Sequence, residues 1–261
     1  MNSIELKIID VLKCLKEEHG VFEIKAEFEA EGSRIEEMMR LKDVTSSVDL
    51  PIILKIGGVE AVTDIYNALT LGVKGVIAPM AETPFAVSKF IKTINEFVPP
   101  DNAENIDFAI NIETVTAHKN IDDILSLQGM ENLHGITIGR VDLVGSMGAD
   151  RSEVNSNEVY EICEDVFTKA REKNLSCGLG GAISTDSLEF IKRLVDKKLI
   201  DKYETRKVVY QASAISSNPI SGLKKGLEFE LLWLKSKQRY YSRIKQEDQQ
   251  RIDMLERRFS K

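Results

Sequence analysis

Short apolar runs alternate with longer amphipathic segments through most of the chain. The runs are VFEIKAEF (21–28), PIILKI (51–56), GVIAPM (75–80), IDFAINIE (106–113), GITIG (135–139), LSCGLG (175–180) and KVVYQA (207–212). Runs this short, rich in β-branched residues, read as buried strands. Between them, stretches such as SRIEEMMRLKDVTSS, VEAVTDIYNALTLG and SNEVYEICEDVFTKAREKN carry apolar residues at helical spacing, and Gly72 follows the last periodic leucine of one of them. Strand–helix alternation predicts a parallel sheet covered by helices. Sustained without a linker, it predicts an α/β fold, a (β/α)8 TIM barrel rather than a doubly wound sheet. Seven strands are legible. The eighth is expected within residues 1–20 or in an irregular segment, which would make the first strand irregular, or it is absent.

From about Ser221 the pattern changes in kind. Leu227, Leu231, Leu234, Tyr241, Ile244, Ile252, Leu255 and Phe259 recur at three- and four-residue steps, which predicts one long helix. The chain therefore divides into a barrel domain, residues 1–220, and a helical extension, residues 221–261. An apolar stripe on such a helix needs cover. A neighbouring subunit in a homo-oligomer is the expected cover, with folding back on the same chain as the alternative.

Composition narrows the function classes. Apolar residues make up 43% and charged residues 30%, and the formal charge is −7, which gives no reason to expect nucleic acid as a partner. The tail from Lys224 onward runs the other way, with 11 Lys/Arg against 6 Asp/Glu. The N-terminal segment mixes charges into an amphipathic helix and does not read as a signal peptide. No stretch approaches a membrane span. Cys14, Cys163 and Cys177 are odd in number and lack metal-type spacing, so they read as free thiols in a reducing, cytoplasmic setting. His19, His118 and His134 read as surface or capping residues, with no soft-metal pattern around them.

In a barrel the active site lies where strands end at their carboxyl termini. The polar residues there are Lys25, Glu27 and Glu29, then Lys55, Glu82, Asn111, Glu113, Arg140 and Asp142, with Glu204 and Arg206 opening the last run. The period of two sets Ile24, Ala26 and Phe28 against Lys25, Glu27 and Glu29, so the charged face is expected to point into the barrel. Charges there are costly unless paired or metal-bound, so they form either an ion-pair network or a site. Glu113 and Asp142 follow apolar strands 29 residues apart, about one βα unit, and adjacent strands lie ~4.8 Å apart. The two carboxylates are thus expected to share one cation, and hard oxygen ligands suit Mg²⁺ or Mn²⁺, or another divalent metal of that kind. The glycines of GLGGAIS (178–184) read either as a phosphate cradle or as a tight turn, Gly57 and Gly58 have the same two readings, and backbone N–H groups from Gly139 to Gly145 are candidate donors.

Taken together, residues 110–148, INIETVTAHKNIDDILSLQGMENLHGITIGRVDLVGSMG, resemble the metal-site segment of the HpcH/HpaI aldolase and citrate lyase β-subunit family. The shared features are a strand ending in Glu-Thr (Glu113–Thr114), a helix beginning near Lys119–Asn120, and IGRVDLVGSMG (138–148) where the family has IGPxDLSxSMG. GVKGVIAPMAETPFAV (72–87) resembles the preceding unit, and the likeness runs loosely from residue 22 to 212. The resemblance implies a metal-dependent lyase or aldolase that makes or breaks a C–C bond beside a pyruvate-type enolate. It places Glu113 and Asp142 as metal ligands, with a 2-keto acid as substrate. A CoA-thioester lyase, or an inactive barrel serving as a binding or assembly subunit, are the alternatives. The chain departs from the family at three points. Lys55 replaces an arginine, which loses the bidentate fork. AEFEAEG, with Glu27 and Ala30, replaces the family's Asp-His pair, which leaves Glu27 or a neighbour for proton transfer. Arg140 replaces a proline and is expected to meet an anionic substrate. Lys55, Glu27 and Arg140 are then the candidate catalytic residues. Gly57, Gly139, Glu82 and Arg206 are the candidate substrate-binding residues.

Overall fold

Eight strands close into a barrel in chain order: β1 (Val21–Glu27), β2 (Ile52–Lys55), β3 (Gly75–Ala78), β4 (Asp107–Ile112), β5 (Gly135–Gly139), β6 (Ser176–Gly180), β7 (Lys202–Glu204) and β8 (Val208–Gln211). This is a computed structural model, and it describes residues 1–259, so the last two residues of the helical extension lie outside the described residues. The helices are α1 (Ser3–His19), α2 (Ile35–Ser46), α3 (Val62–Leu71), α4 (Pro84–Phe97), α5 (Pro100–Ala103), α6 (Val115–Lys119), α7 (Ile121–Leu125), α8 (Arg140–Ser146), α9 (Asn157–Glu172), α10 (Leu188–Asp196) and α11 (Pro219–Phe259). No described helix is long and apolar enough to cross a membrane.

β1 carries one register shift against β8, between Val21 and Glu23, and the larger departure from the expected order is at the end of the barrel. Residues 1–20 form α1, capped by Asn2 and closed by Gly20 in the left-handed conformation. The strand missing from the sequence reading is β7. It is only three residues long, and its Lys202 and Glu204 flank a single apolar Tyr203, so it carries no readable alternation. β1 to β7 pair in parallel, but β8 runs antiparallel to both β7 and β1. A hairpin turn at 205–207, pinned by Thr205 N–H on the Val208 carbonyl at 2.9 Å, replaces the expected crossover helix.

That reversal decides where the tail goes. Because β8 points backward, α11 leaves the barrel from its amino-terminal end and climbs antiparallel to α1. Gly222 lies against His19, and Ser236 accepts from the Asn2 side chain at 3.3 Å. Beyond α1, Lys237 pairs with Glu37 at 2.9 Å and the Tyr241 hydroxyl donates to the same carboxylate. The face buried against the barrel domain is Gly222, Leu223, Gly226, Phe229, Trp233 and Ser236. It is not the stripe read from the sequence: Leu227, Leu231, Leu234, Ile244, Ile252 and Leu255 are 41–64% exposed. The helix therefore has two apolar faces, one used within the chain and one open. At 41 residues and 1.5 Å per residue, α11 is about 60 Å long.

Candidate active site at the carboxyl-terminal rim

The barrel interior is layered, with a Lys202–Glu23 ion pair at 3.2 Å toward its amino-terminal end. Below the rim, Ile53, Ile77 and Val209 pack with Phe22 and Ala109 into a small apolar plug, separate from the main core between sheet and helices. Above it sit Lys25, Glu27, Lys55, Asn111, Glu113 and Glu204, all buried. The inward charged face expected from the period of two is thus realised on β1 and β2. Lys25 Nζ lies 2.6 Å from Glu204 Oε1 and 3.0 Å from Glu27 Oε1. Burial works against the ammonium, but the two carboxylates outweigh it and hold its pKa above the ordinary value. For Glu27, burial pulls upward while the charges of Lys25, Lys55 and Arg206 pull down, and the net result is a lowered pKa. A carboxylate stabilised in this way is a weak base at neutral pH. Its geometry favours holding the neighbouring cations over moving a proton. Glu29 is exposed at the rim.

Glu113, 1% exposed, is held from several sides just beyond the end of β4. Its Oε1 accepts from the Met80 backbone N–H at 3.0 Å, and its Oε2 accepts from Asn111 Nδ2 at 3.0 Å and pairs with Lys55 Nζ at 3.5 Å. Met80 turns its amide toward the carboxylate from a left-handed backbone, φ 50°, a conformation uncommon for a residue with a side chain. Gly139 leaves the space the carboxylate fills, since a Cβ there would come 2.5 Å from Glu113 Oε2. Gly180 does the same for Glu204, at 3.1 Å from Oε1.

A divalent cation fits this donor set. A carboxylate offers about four lone-pair sites, and three on Glu113 are used, which leaves one. The Oδ1 of Asn111 is buried with no hydrogen-bond partner. Asp142, three residues past Gly139 in the first turn of α8, is exposed. Hard oxygens of this kind suit Mg²⁺ or Mn²⁺.

Arg140 is not in this set. It is fully buried, and its guanidinium donates to the carbonyls of Gly180 (3.2 Å), Val154 (3.1 Å) and Gly181 (2.8 Å), to Asn155 Oδ1 (2.6 Å) and to Ser187 Oγ (3.3 Å). It also lies over the Phe190 ring, 4.7 Å from the centroid. The expectation that it meets an anionic substrate is therefore corrected: every donor is engaged on the protein, and the residue fastens β6 and the following loop to α8. The GLGGAIS segment is a tight turn. Gly180 and Gly181 present carbonyls to Arg140, and Gly181, φ 82°, packs so closely that a Cβ would come 2.5 Å from the Arg140 amide. Gly57 donates its N–H to Asp64 Oδ2 at 2.7 Å, so that amide serves the turn into α3. Arg206 is exposed in the β7–β8 turn, near enough to Glu27 to lower its pKa. Glu82 is half-buried after β3, its carbonyl accepting from Asn120 Nδ2 at 2.8 Å. The structure thus brings together Glu27, Lys55, Glu113 and Gly139, with Arg206, Glu82 and Asp142 at the rim, and leaves Arg140 and Gly57 as framework. Met80 was not singled out from the sequence, because its contribution is a backbone amide and a positive φ, and neither leaves a mark in hydropathy.

Comparison with known proteins identifies the family and the barrel. A sequence profile for "HpcH/HpaI aldolase/citrate lyase" matches residues 17–189. No curated protein sequence matches the chain. Among solved structures, an HpcH/HpaI aldolase from Desulfitobacterium hafniense DCB-2 superposes with a TM-score of 0.61 at 17% identity, covering 83% of this chain and 87% of that one. The citrate synthase SbnG gives 0.61 at 17% identity over 86% and 89%. An HpcH/HpaI aldolase/citrate lyase family protein from Burkholderia cenocepacia J2315 gives 0.59 at 11% over 94% and 100%. These likenesses show the barrel. The profile stops short of β7, β8 and α11, the part where this barrel departs from all-parallel order. Since it covers well over half the sequence, the chain belongs to the HpcH/HpaI aldolase/citrate lyase family, enzymes of the carbon–carbon lyase kind.

Proposed function

We propose that the protein is a divalent-metal-dependent lyase or aldolase that works through the enolate of a 2-keto acid. The observation that carries this reading is the buried, multiply held Glu113 beside the unpartnered Asn111 Oδ1, with the open carboxylate of Asp142 on the next βα unit. Glu113 and Asp142 would hold Mg²⁺ or Mn²⁺. A divalent cation there supplies Lewis-acid stabilisation of the charge that builds on a keto oxygen. The other residues act on their own account. The Met80 amide and Asn111 fix the orientation of Glu113. Lys55 places a buried ammonium at the rim, where it offsets substrate negative charge without the two-pronged grip of a guanidinium. Arg206 supplies an exposed cation for a substrate carboxylate.

The test is methyl-proton exchange of pyruvate in D₂O, followed by NMR with Mn²⁺ and with EDTA. Exchange is expected with metal and absent with chelator. It should fall by a factor of at least about 100, the scale for losing one electrostatic stabiliser, in Glu113→Gln and Asp142→Asn. Metal-independent exchange, or variants as active as the parent, would remove the reading.

The open stripe of α11 is read as a contact with a second copy of the chain, and residues 221–261 as the assembly element. Placing a charge at its centre with Leu231→Glu leaves the buried face of the helix untouched. Light scattering is expected to show the mass falling toward that of one 29.3 kDa chain. A mass unchanged from the parent would mean that the stripe is not a subunit contact.

A further inference from the structure

At the amino-terminal end of the barrel, away from the rim, the last turns of α1 carry Cys14, Glu18 and His19. The thiol sulfur, a carboxylate oxygen and an imidazole nitrogen of these residues lie within 4.8 Å of one another. Among the described residues this is the one place where three such ligands converge. The sequence reading set His19 at the surface and saw no soft-metal pattern, because the spacing of 14, 18 and 19 becomes a cluster only on a helix, where i and i+4 share a face.

His19 is the second observation. The residue is 8% exposed, and its Nδ1 is buried with no hydrogen-bond partner. Burying a polar nitrogen without a partner is costly, and such groups in native structures call for an explanation. Packing fixes the ring: a Cβ at Gly222 of α11 would come 3.3 Å from His19 Cβ and 3.4 Å from Nδ1. Cys14 is half-buried, and burial together with the charge of Glu18 pushes its thiol up, a penalty that a bound cation would reverse. From α11, Lys225 and Glu228 face the cluster and are paired with each other at 2.8 Å. The site also lies at a helix carboxyl terminus, where the backbone dipoles favour a cation.

We propose that Cys14, Glu18 and His19 form a second metal site, for a borderline cation of the Zn²⁺ type, with solvent in the fourth position. Sulfur, nitrogen and oxygen ligands together select zinc over the hard cations that suit the rim. On binding, Cys14 gives up its proton to solvent and the thiolate sulfur bonds the metal. The amino-terminal face of such a barrel serves stability, so the site would brace the junction where α1 meets α11.

The full-length protein, kept in excess Mg²⁺ so that hard-oxygen sites are filled, is titrated with Zn²⁺ alone by calorimetry in buffers of different ionisation enthalpy. A parallel titration with Co²⁺ is read for thiolate-to-metal charge-transfer absorption. One equivalent of Zn²⁺ is expected, with proton release and a charge-transfer band. Cys163 and Cys177 are buried, and neither belongs to a cluster of three ligands among the described residues, so the band is assigned to Cys14. Cys14→Ser and His19→Gln should each weaken binding by at least about tenfold, the lower bound known for loss of a mere outer-shell partner, while Glu113→Gln leaves it unchanged. If His19→Gln does not fold, Glu18→Gln takes its place, since Glu18 is exposed. Absence of Zn²⁺ binding, affinity indifferent to these variants, or binding abolished by Glu113→Gln overturns the proposal.

Discussion

Replacing Arg140 with alanine is expected to cost roughly 3–5 kcal/mol, the scale for leaving several buried neutral acceptors without their donor. The basis is the bonding inventory: five acceptors from three stretches of chain converge on one guanidinium. Alanine leaves the carbonyls of Gly180, Gly181 and Val154 facing a void, each worth about 1–3 kcal/mol if water does not enter. It also removes the packing over Phe190. Burial brings the Arg140 pKa down to about 10, which still leaves the group protonated at neutral pH, so the charge is present and needs its acceptors. Arg140→Lys keeps the charge but not the fork, and should fall between the two. Urea unfolding monitored by circular dichroism measures the effect, and a loss under about 0.5 kcal/mol, the range of ordinary surface changes, would contradict it. Because Arg140 opens the helix that carries Asp142, the lysine variant should also bind Mn²⁺ more weakly than the parent while remaining folded.

The same residue shows what sequence pattern conveys and what it does not. At the end of a strand, beside Asp142, an arginine looks like a site residue. Hydropathy and spacing place it at the rim, but they do not say whether its side chain turns toward the barrel mouth or back under the next strand. Glu113 was legible for the opposite reason. A lone carboxylate ending an apolar strand has few places to go except inward, and the alternation of β4 forces that direction. Strand count failed at β7 because three residues with two inward charges carry no apolar periodicity. Strand direction failed at β8 because an apolar run reads the same both ways. That reversal sends α11 up along α1, and the helix consequently buries a face rich in small residues, Gly222, Gly226 and Ser236, which no hydrophobic stripe reveals. The leucine stripe that stands out in the sequence is the face left open.

Lys25→Met is expected to destabilise the protein by about 3–5 kcal/mol at pH 8, since removing one member of a buried ion pair leaves its partners uncompensated. Glu204 is 2% exposed, and its Oε2 already lacks a partner. Glu27 would keep only the more distant fields of Lys55 and Arg206. The pH dependence separates this mechanism from simple loss of packing. In the parent, the lowered pKa of Glu27 means that its stabilising contribution is present above the unfolded carboxylate value, 4.5, and is lost as pH falls through the folded value. Lys25 has a raised pKa, so its contribution is complete below the unfolded value, 10.5, and is lost only as pH rises through the folded one. Between those limits the parent's ion-pair contribution is flat. In the variant the sign for Glu27 inverts, because a buried carboxylate without its cation favours the protonated form. Folding then takes up protons, and the variant gains stability as pH falls. Urea midpoints of parent and variant should therefore converge between pH 8 and pH 5. A gap that stays constant over that range would assign the loss to the methylene packing of Lys25, and the triad of Lys25, Glu27 and Glu204 would no longer account for how this barrel tolerates charge at its centre.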